Sequence, residues 1–237
     1  MLDLRKNLPT ILLLTGILGP LLYLVTDLVA SSLLPGYSMI TQSTSVLSAP
    51  GARTRVLVAT LFLTVYSLVA IFGATIWLSA GGSWPLRLIA VLLVGSAVLQ
   101  ALGVAIFPYH PGEAPSSPPN VLNLALLVPS IVSWYIVIVL GVVGFENWFR
   151  YFSIVLLVPW LAYVVLATVG ASFFHPGGHP GALVGAQERS MAYTFYLWMA
   201  ILAVVQFGSG VVEVPGLIVG GTRGLLGISR RIPPHRP

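Results

Sequence analysis

Long apolar runs separated by short polar stretches dominate the chain. Six runs reach the length of about 20 residues that a helix needs to cross the hydrocarbon core of a bilayer. They cover roughly residues 10–34, 55–80, 85–107, 121–144, 150–173 and 191–212. Backbone groups in lipid must pair within their own segment, and these runs are too long for barrel strands. The pattern therefore predicts an all-α integral membrane bundle of six transmembrane helices.

Composition supports a membrane protein. Hydrophobic residues make up 57% of the 237 residues and charged residues only 7%, whereas about 25% of the residues of a soluble domain are charged. There is no cysteine, which excludes disulfides, thiol catalysis and cysteine-based metal sites. The net charge is +5, but the basic residues are scattered and form no basic face. We expect membrane lipids as partners and no nucleic acid.

The chain divides into a six-span domain, residues 1–212, and a basic tail, residues 213–237. Arg5 and Lys6 precede the first run as in a signal peptide. That run is too long for a typical signal sequence and contains an acid, so we interpret it as a retained helix. The glycine-rich tail ends in a basic segment, and we expect it to be either peripheral on anionic inner-leaflet lipids or disordered.

The distribution of basic residues predicts the orientation. With the N-terminus inside, eight Lys and Arg fall in inner segments, and only Arg53, Arg55 and Arg189 fall in outer ones. This bias places both termini in the cytoplasm of a multi-pass cell-membrane protein. The long connections 35–54, 108–120 and 174–190 are then extracytoplasmic, and long loops on one side of a scaffold usually carry function.

One acid interrupts the first run close to its predicted outer end. A lone charged acid at membrane depth costs roughly 2.5–3.5 kcal/mol, so Asp27 must be neutralised, paired or in contact with water. Gln100 lies at a similar depth in the third run. Two roles remain open: an interhelical hydrogen-bond network that fixes packing, or a ligand or proton site. For the second role the candidate ligand-binding residues are Asp27, Tyr37, Gln100, Asn123 and Arg189.

The loop histidines are the candidates for a metal site. His110, His175 and His179 offer nitrogen ligands of the kind that zinc prefers. However, the segment between His175 and His179 is Pro-Gly-Gly, so no helix holds the two rings on one face as the HExxH pattern requires. We interpret all three as ordinary loop histidines and expect neither a metal nor another cofactor. No P-loop, dinucleotide fingerprint or nucleophile elbow is present.

Several motifs together resemble a known family. They are Gly19-Pro20, Asp27, Pro35-Gly36-Tyr37, the run from Ser45 to Ala52, Phe107-Pro108, Gln187-Glu188-Arg189 and Trp198. Over about residues 16–200 the chain resembles the prokaryotic six-span membrane family called domain of unknown function nine-nine-eight. The resemblance implies a six-helix membrane protein without an established activity. It also implies an acid shortly after Phe-Pro and a histidine at the start of the fourth span, where this chain has His110 and Asn123.

Three functions fit the sequence. The favoured one is a non-catalytic membrane protein that binds a lipid, quinone-like or other amphipathic molecule in an outward-facing polar pocket around Asp27. The second is an accessory subunit of a larger membrane protein complex. The third is a membrane enzyme or transporter that uses Asp27 and the loop histidines.

Overall fold

The computed structural model describes residues 12–173 and 183–208, in which helices are joined by loops and turns. The helices are α1 (Thr15–Leu33), α2 (Arg55–Ser79), α3 (Trp84–Ala105), α4 (Pro118–Gly144), α5 (Trp148–Phe173) and α6 (Val184–Gly208). A short 3-10 turn, Thr44–Ser48, lies between α1 and α2. The described ranges contain no strand, so the all-α prediction is confirmed.

The helices have the length and composition of membrane spans. Within the described residues, α1, α2, α3, α4 and α6 are long and apolar enough to cross a membrane, and Trp148–Ala162 of α5 is a shorter apolar helix. Their lipid-like exterior is rich in exposed leucine, isoleucine and valine, as the hydrocarbon solvent demands. The chain is a helical membrane protein. Which end faces the cytoplasm stays a prediction.

Each helix packs against its neighbours in the sequence, and α6 closes the bundle against α1. Of the five long apolar helices, α6 is the most buried, and its Phe195, Trp198, Met199 and Leu202 are fully buried. Close packing depends on small residues, as is usual between membrane helices. At Gly73 of α2, an added Cβ would lie only 3.0 Å from the carbonyl oxygen of Ala90 in α3.

The two ends of the bundle differ. At the short-loop end, residues 80–83 and 145–147 connect adjacent helices, and Trp77, Trp84 and Trp148 are exposed there, as in the aromatic belt of a membrane interface. The long-loop end carries residues 34–54, 106–117 and the start of α6. Two of its chain reversals use Pro-Gly, with Gly36 and Gly112 at positive φ angles of 76° and 91°, which glycine adopts without steric cost.

The start of α6 differs from the prediction. Hydropathy places it at about residue 191, but the helix begins at Val184, about two turns earlier. The polar segment Gln187-Glu188-Arg189 resembles a loop in the sequence. In the structure Arg189 is buried and pairs with Asp27 of α1. The predicted retained N-terminal segment before residue 12, the end of the sixth span beyond residue 208 and the basic tail lie outside the described residues.

Candidate functional site

A buried ion pair joins α1 and α6, the first and last of the described helices. Asp27 of α1 is 0% exposed and Arg189 of α6 is 4% exposed. Arg189 donates from Nε to Oδ2 and from Nη2 to Oδ1 of Asp27, both at 2.8 Å. This two-bond geometry is the strongest form of the arginine–carboxylate interaction. Asp27 is therefore paired, and the pairing solves the problem of an acid at membrane depth.

The remaining donors of Arg189 reach the loop that follows α1. Its Nη1 donates to the carbonyl oxygens of Met39 at 2.8 Å and Gln42 at 3.1 Å, and Nη2 donates to the Tyr37 hydroxyl at 2.6 Å. A guanidinium has five N–H groups, and all of them have acceptors here. Arg189 thus has no donor left for a ligand.

Asp27 is equally occupied. Its Oδ2 also accepts a hydrogen bond from the Tyr193 hydroxyl at 2.5 Å, and its Oδ1 a long one of 3.4 Å from Ser31. Tyr193 lies four residues after Arg189, so both side chains project from the same face of α6. We call Asp27, Tyr37, Arg189 and Tyr193 the ion-pair network.

Tyr37 connects the network to its own loop. Its hydroxyl accepts from Arg189 and donates to the carbonyl oxygen of Ser43 at 2.9 Å, and its ring lies 5.6 Å from the Arg189 guanidinium carbon. Burial raises the pKa of the Tyr37 hydroxyl above the ordinary value of 10.0, and the hydrogen bond from Arg189 opposes that rise only in part. The hydroxyl therefore stays protonated, and a donor, at physiological pH.

A glycine in α6 lets this loop approach. A Cβ on Gly185 would lie 2.5 Å from the carbonyl oxygen of Met39, closer than real side chains are found. The contact is reinforced by the amide of Ala186, which donates to the carbonyl oxygen of Ile40 at 3.0 Å. The Pro35-Gly36 reversal and Gly185 together bring the carbonyls of residues 39–42 onto Arg189.

A cleft lies beside the network at the long-loop end. It is bounded by α1, α2, α3, α4, α6 and the 3-10 turn, and holds about 700 Å³ of empty space including the solvent at its open side. Polar residues on its wall are Thr44, Ser45, Ser48, Gln100, Tyr109, Asn123 and Glu188. Aromatic residues on its wall are Tyr23, Phe62, Tyr66 and Trp134. We call it the Glu188 cleft.

Glu188 is the acidic group of this cleft. It is partly buried, and its Oε1 accepts a short hydrogen bond from the Thr44 hydroxyl. Among the residues that the structure describes, no basic side chain forms an ion pair with it. Within the described ranges, Glu188 therefore presents a carboxylate to the cleft without a basic partner.

The structure divides the five predicted ligand-binding residues between two places. Asp27, Tyr37 and Arg189 belong to the ion-pair network, whereas Gln100 and Asn123 line the Glu188 cleft. Asn123 also donates to the carbonyl oxygen of Phe107 at 2.7 Å and so holds the end of α3. That any of these residues binds a ligand stays a prediction.

Glu188 and Tyr193 are not among the predicted site residues. Glu188 falls in the predicted outer connection 174–190, and Tyr193 lies among the apolar residues of the sixth run. The signal that could have found them is helical spacing: a helix begun before Glu188 aligns Arg189 with Tyr193 and turns Glu188 to a different face.

The only candidate metal ligand whose surroundings are described is His110. Its Nδ1 lies 3.1 Å from Glu113 Oε1 in an exposed loop, and its backbone amide donates to Asn120 at 2.9 Å. Within the two described ranges, no group of three or more His, Asp or Glu is arranged to hold a metal. His175 and His179 lie outside those ranges.

Comparison with known proteins identifies the family. The profile of DUF998, a protein of unknown function, matches residues 17–205, about four fifths of the chain. The chain belongs to the DUF998 family. The predicted family resemblance is therefore confirmed. No curated protein and no solved structure matches the chain.

The segments that carry the DUF998 resemblance meet in three dimensions. Asp27, Tyr37 of the Pro-Gly-Tyr corner and Arg189 of Gln-Glu-Arg form the ion-pair network. Ser45 and Ser48, from the segment before Ala52, line the adjacent cleft. The DUF998 description names no activity, so the function has to be argued from this geometry.

Proposed function

We propose that this DUF998 protein binds an amphipathic molecule, a lipid or a smaller amphiphile, in the Glu188 cleft. The observation that carries the proposal is the division of the cleft along its depth. Thr44 and Tyr109 belong to the connections between helices, and Glu188 and Asn123 lie within the first two turns of α6 and α4. The mouth of the cleft is therefore polar.

The deeper wall is aromatic. Tyr23 and Tyr66 lie about 15 Å along their helices from the long-loop end, and Trp134 lies deeper still. Tyr23 stacks on Phe62 with ring centroids 5.3 Å apart. Concave sites with an apolar wall and a few converging polar groups are typical of small-molecule binding. We infer that a head group occupies the mouth and that an apolar tail packs against the aromatic wall.

The ion-pair network supports this site without forming it. The oxygens of Asp27 and the donors of Arg189 are already used by protein groups. The network fixes the start of α6 and the loop of residues 37–43, and thereby sets the position of Glu188, which precedes Arg189. We therefore centre the proposed binding on Glu188 instead of Asp27.

The test is a substitution that fills the cleft, followed by a measurement of whether the protein still retains a bound molecule. Gly103 lines the cleft, and a Cβ there would make an ordinary 3.6 Å contact with Asn123. Gly95, on the same helix, has nothing within 4 Å of an added Cβ. Gly103→Leu is therefore the cleft-filling variant, and Gly95→Leu is its matched control. Each is purified from native membranes in maltoside and measured by native mass spectrometry.

We expect the unmodified chain and Gly95→Leu to retain the same co-purified molecule. Gly103→Leu should retain roughly tenfold less, because forcing extra atoms into an occupied site costs about 1–3 kcal/mol. Equal retention by Gly103→Leu and Gly95→Leu, or no bound molecule on any of the three chains, contradicts the proposal.

A further inference from the structure

The charges around the cleft do not balance. Asp27 and Arg189 neutralise each other through two hydrogen bonds of 2.8 Å, and no other described basic side chain pairs with Glu188. Its one hydrogen-bond partner in the described part of the chain is the neutral hydroxyl of Thr44. The start of α6 supplies some positive potential, but a helix terminus contributes only about half a charge. The wall of the cleft is therefore electronegative.

Aromatic rings share this electronegative wall. Tyr23, Phe62, Tyr66 and Trp134 border the same space as Glu188. The faces of aromatic rings attract cations, most strongly where water is excluded. A carboxylate in an aromatic-lined cleft favours a positively charged group over a neutral or negative one. It favours most a cation that also carries apolar carbon, because such a group loses little hydration on entry.

From this combination we propose that the Glu188 cleft selects amphiphiles with a positively charged head group, either a protonated amine or a quaternary ammonium. This inference rests on the proposed function and adds the chemical class of the ligand. Glu188 provides the counter-charge at the mouth, and the aromatic side chains that line the deeper wall of the cleft contact the adjoining carbon atoms.

Glu188 has an alternative role that the test must separate. Its carboxylate, by accepting from Thr44, also joins the 3-10 turn to α6. The variant Glu188→Gln preserves an acceptor for Thr44 and removes only the charge. Glu146→Gln is the matched control, because Glu146 is an exposed acid at the short-loop end.

The experiment compares two probes of nearly equal shape. Dodecyltrimethylammonium carries a permanent positive charge, and dodecyldimethylamine oxide at pH 8 carries no net charge. Equilibrium binding of each labelled probe is measured on the full chain in maltoside micelles, for the unmodified chain, Glu188→Gln, Glu146→Gln and Gly103→Leu. Binding of the amine oxide also shows that Glu188→Gln and Glu146→Gln retain a folded cleft.

We expect the unmodified chain and Glu146→Gln to bind the cation roughly tenfold more tightly than the amine oxide, a ratio typical of a partly desolvated cation site. In Glu188→Gln this preference should disappear while the affinity for the amine oxide is unchanged. If Glu188→Gln keeps the preference, or if the unmodified chain shows none, the inference is wrong.

The same data distinguish the two proposals. If both probes bind the unmodified chain equally and Gly103→Leu abolishes that binding, the cleft binds amphiphiles without charge selection, so only the inference fails. If neither probe binds saturably, or if Gly103→Leu binds both as the unmodified chain does, the proposed function fails and the inference fails with it.

Discussion

Glu188 and Arg189 are adjacent in the sequence and opposite in their surroundings. Arg189 is 4% exposed and uses every donor on protein acceptors. Glu188 borders an open cleft and has one hydrogen bond from a hydroxyl. Consecutive residues of a helix point about 100° apart, so one side chain enters the interface with α1 while its neighbour faces the cleft.

This contrast separates structural from functional charge. A buried charge whose hydrogen bonds are all satisfied within the protein fixes packing and is poorly placed to bind anything else. A charge of the same helix turn that lacks a counter-charge is available for a ligand. Position near the membrane surface alone does not distinguish the two cases. The hydrogen-bond and ion-pair partners of each charge within the protein distinguish them.

The largest effect is expected from breaking the ion pair. Arg189→Ala leaves Asp27 buried without its counter-charge, and removal of one partner of a buried pair costs about 3–5 kcal/mol. The free energy of unfolding, measured by denaturant titration in mixed micelles, should fall by that amount. Arg53→Ala, which removes an exposed arginine, should change it by less than about 0.5 kcal/mol.

A double variant sharpens this result. In Asp27→Leu with Arg189→Met no charge is left unpaired, and such replacements of buried pairs are often close to neutral. We expect it to be more stable than Arg189→Ala. If Arg189→Ala unfolds like Arg53→Ala, the network does not stabilise the bundle, and the contrast between the two residues is lost.

A smaller effect is expected where the loop meets α6. Gly185→Ala places a methyl group against the carbonyl oxygens of Met39 and Gln42, and such overpacking typically costs about 1–3 kcal/mol. The better helix propensity of alanine offsets up to about 1 kcal/mol of this cost. Thermal unfolding in maltoside, with limited proteolysis of residues 37–43, measures both the stability and the release of the loop.

Gly95→Ala is the matched control for this substitution. It gains the same helix propensity in α3 and meets no neighbouring atom, so we expect it to be neutral or stabilising. Equal melting temperatures and equal proteolysis of the two variants would show that the loop does not depend on close approach at Gly185.

The smallest effect on stability is expected at Glu188. Glu188→Gln keeps an acceptor for Thr44, so the free energy of unfolding should change by less than about 0.5 kcal/mol. Arg189→Ala, one residue away, should lower the same quantity far more. Denaturant titration of the two variants side by side gives the comparison. If Glu188→Gln lowered the free energy of unfolding nearly as much as Arg189→Ala does, Glu188 would belong to the ion-pair network, contrary to its place in the cleft.

The helices could be predicted because the membrane leaves few alternatives. An apolar run of about 20 residues pairs its backbone hydrogen-bonding groups in lipid by forming a helix. Each predicted run contains a helix in the structure. The start of α6 could not be predicted in the same way. Hydropathy interprets Glu188 and Arg189 as loop residues, and the partner that buries Arg189 lies on the first helix.

The site could be predicted only in part. An acid in α1 requires a partner, and the predicted outer segments contain three arginines, Arg53, Arg55 and Arg189, among which the sequence does not decide. Helices that are apolar all round carry little amphipathic signal, so their rotation was undetermined. Gln100 therefore shares an approximate depth with Asp27 but lies in the cleft, while Asp27 forms the ion pair with Arg189.

The pairing of the first helix with the last also bears on biosynthesis. Asp27 and Arg189 are 162 residues apart. Since ribosomes add about 5–20 residues per second, Arg189 is synthesised roughly 8–30 s after Asp27. During that interval the carboxylate of Asp27 has to contact water or the insertion machinery, because its burial in lipid alone is unfavourable. Once α6 has been synthesised, Arg189 pairs with Asp27 and joins two helices that are far apart in the sequence.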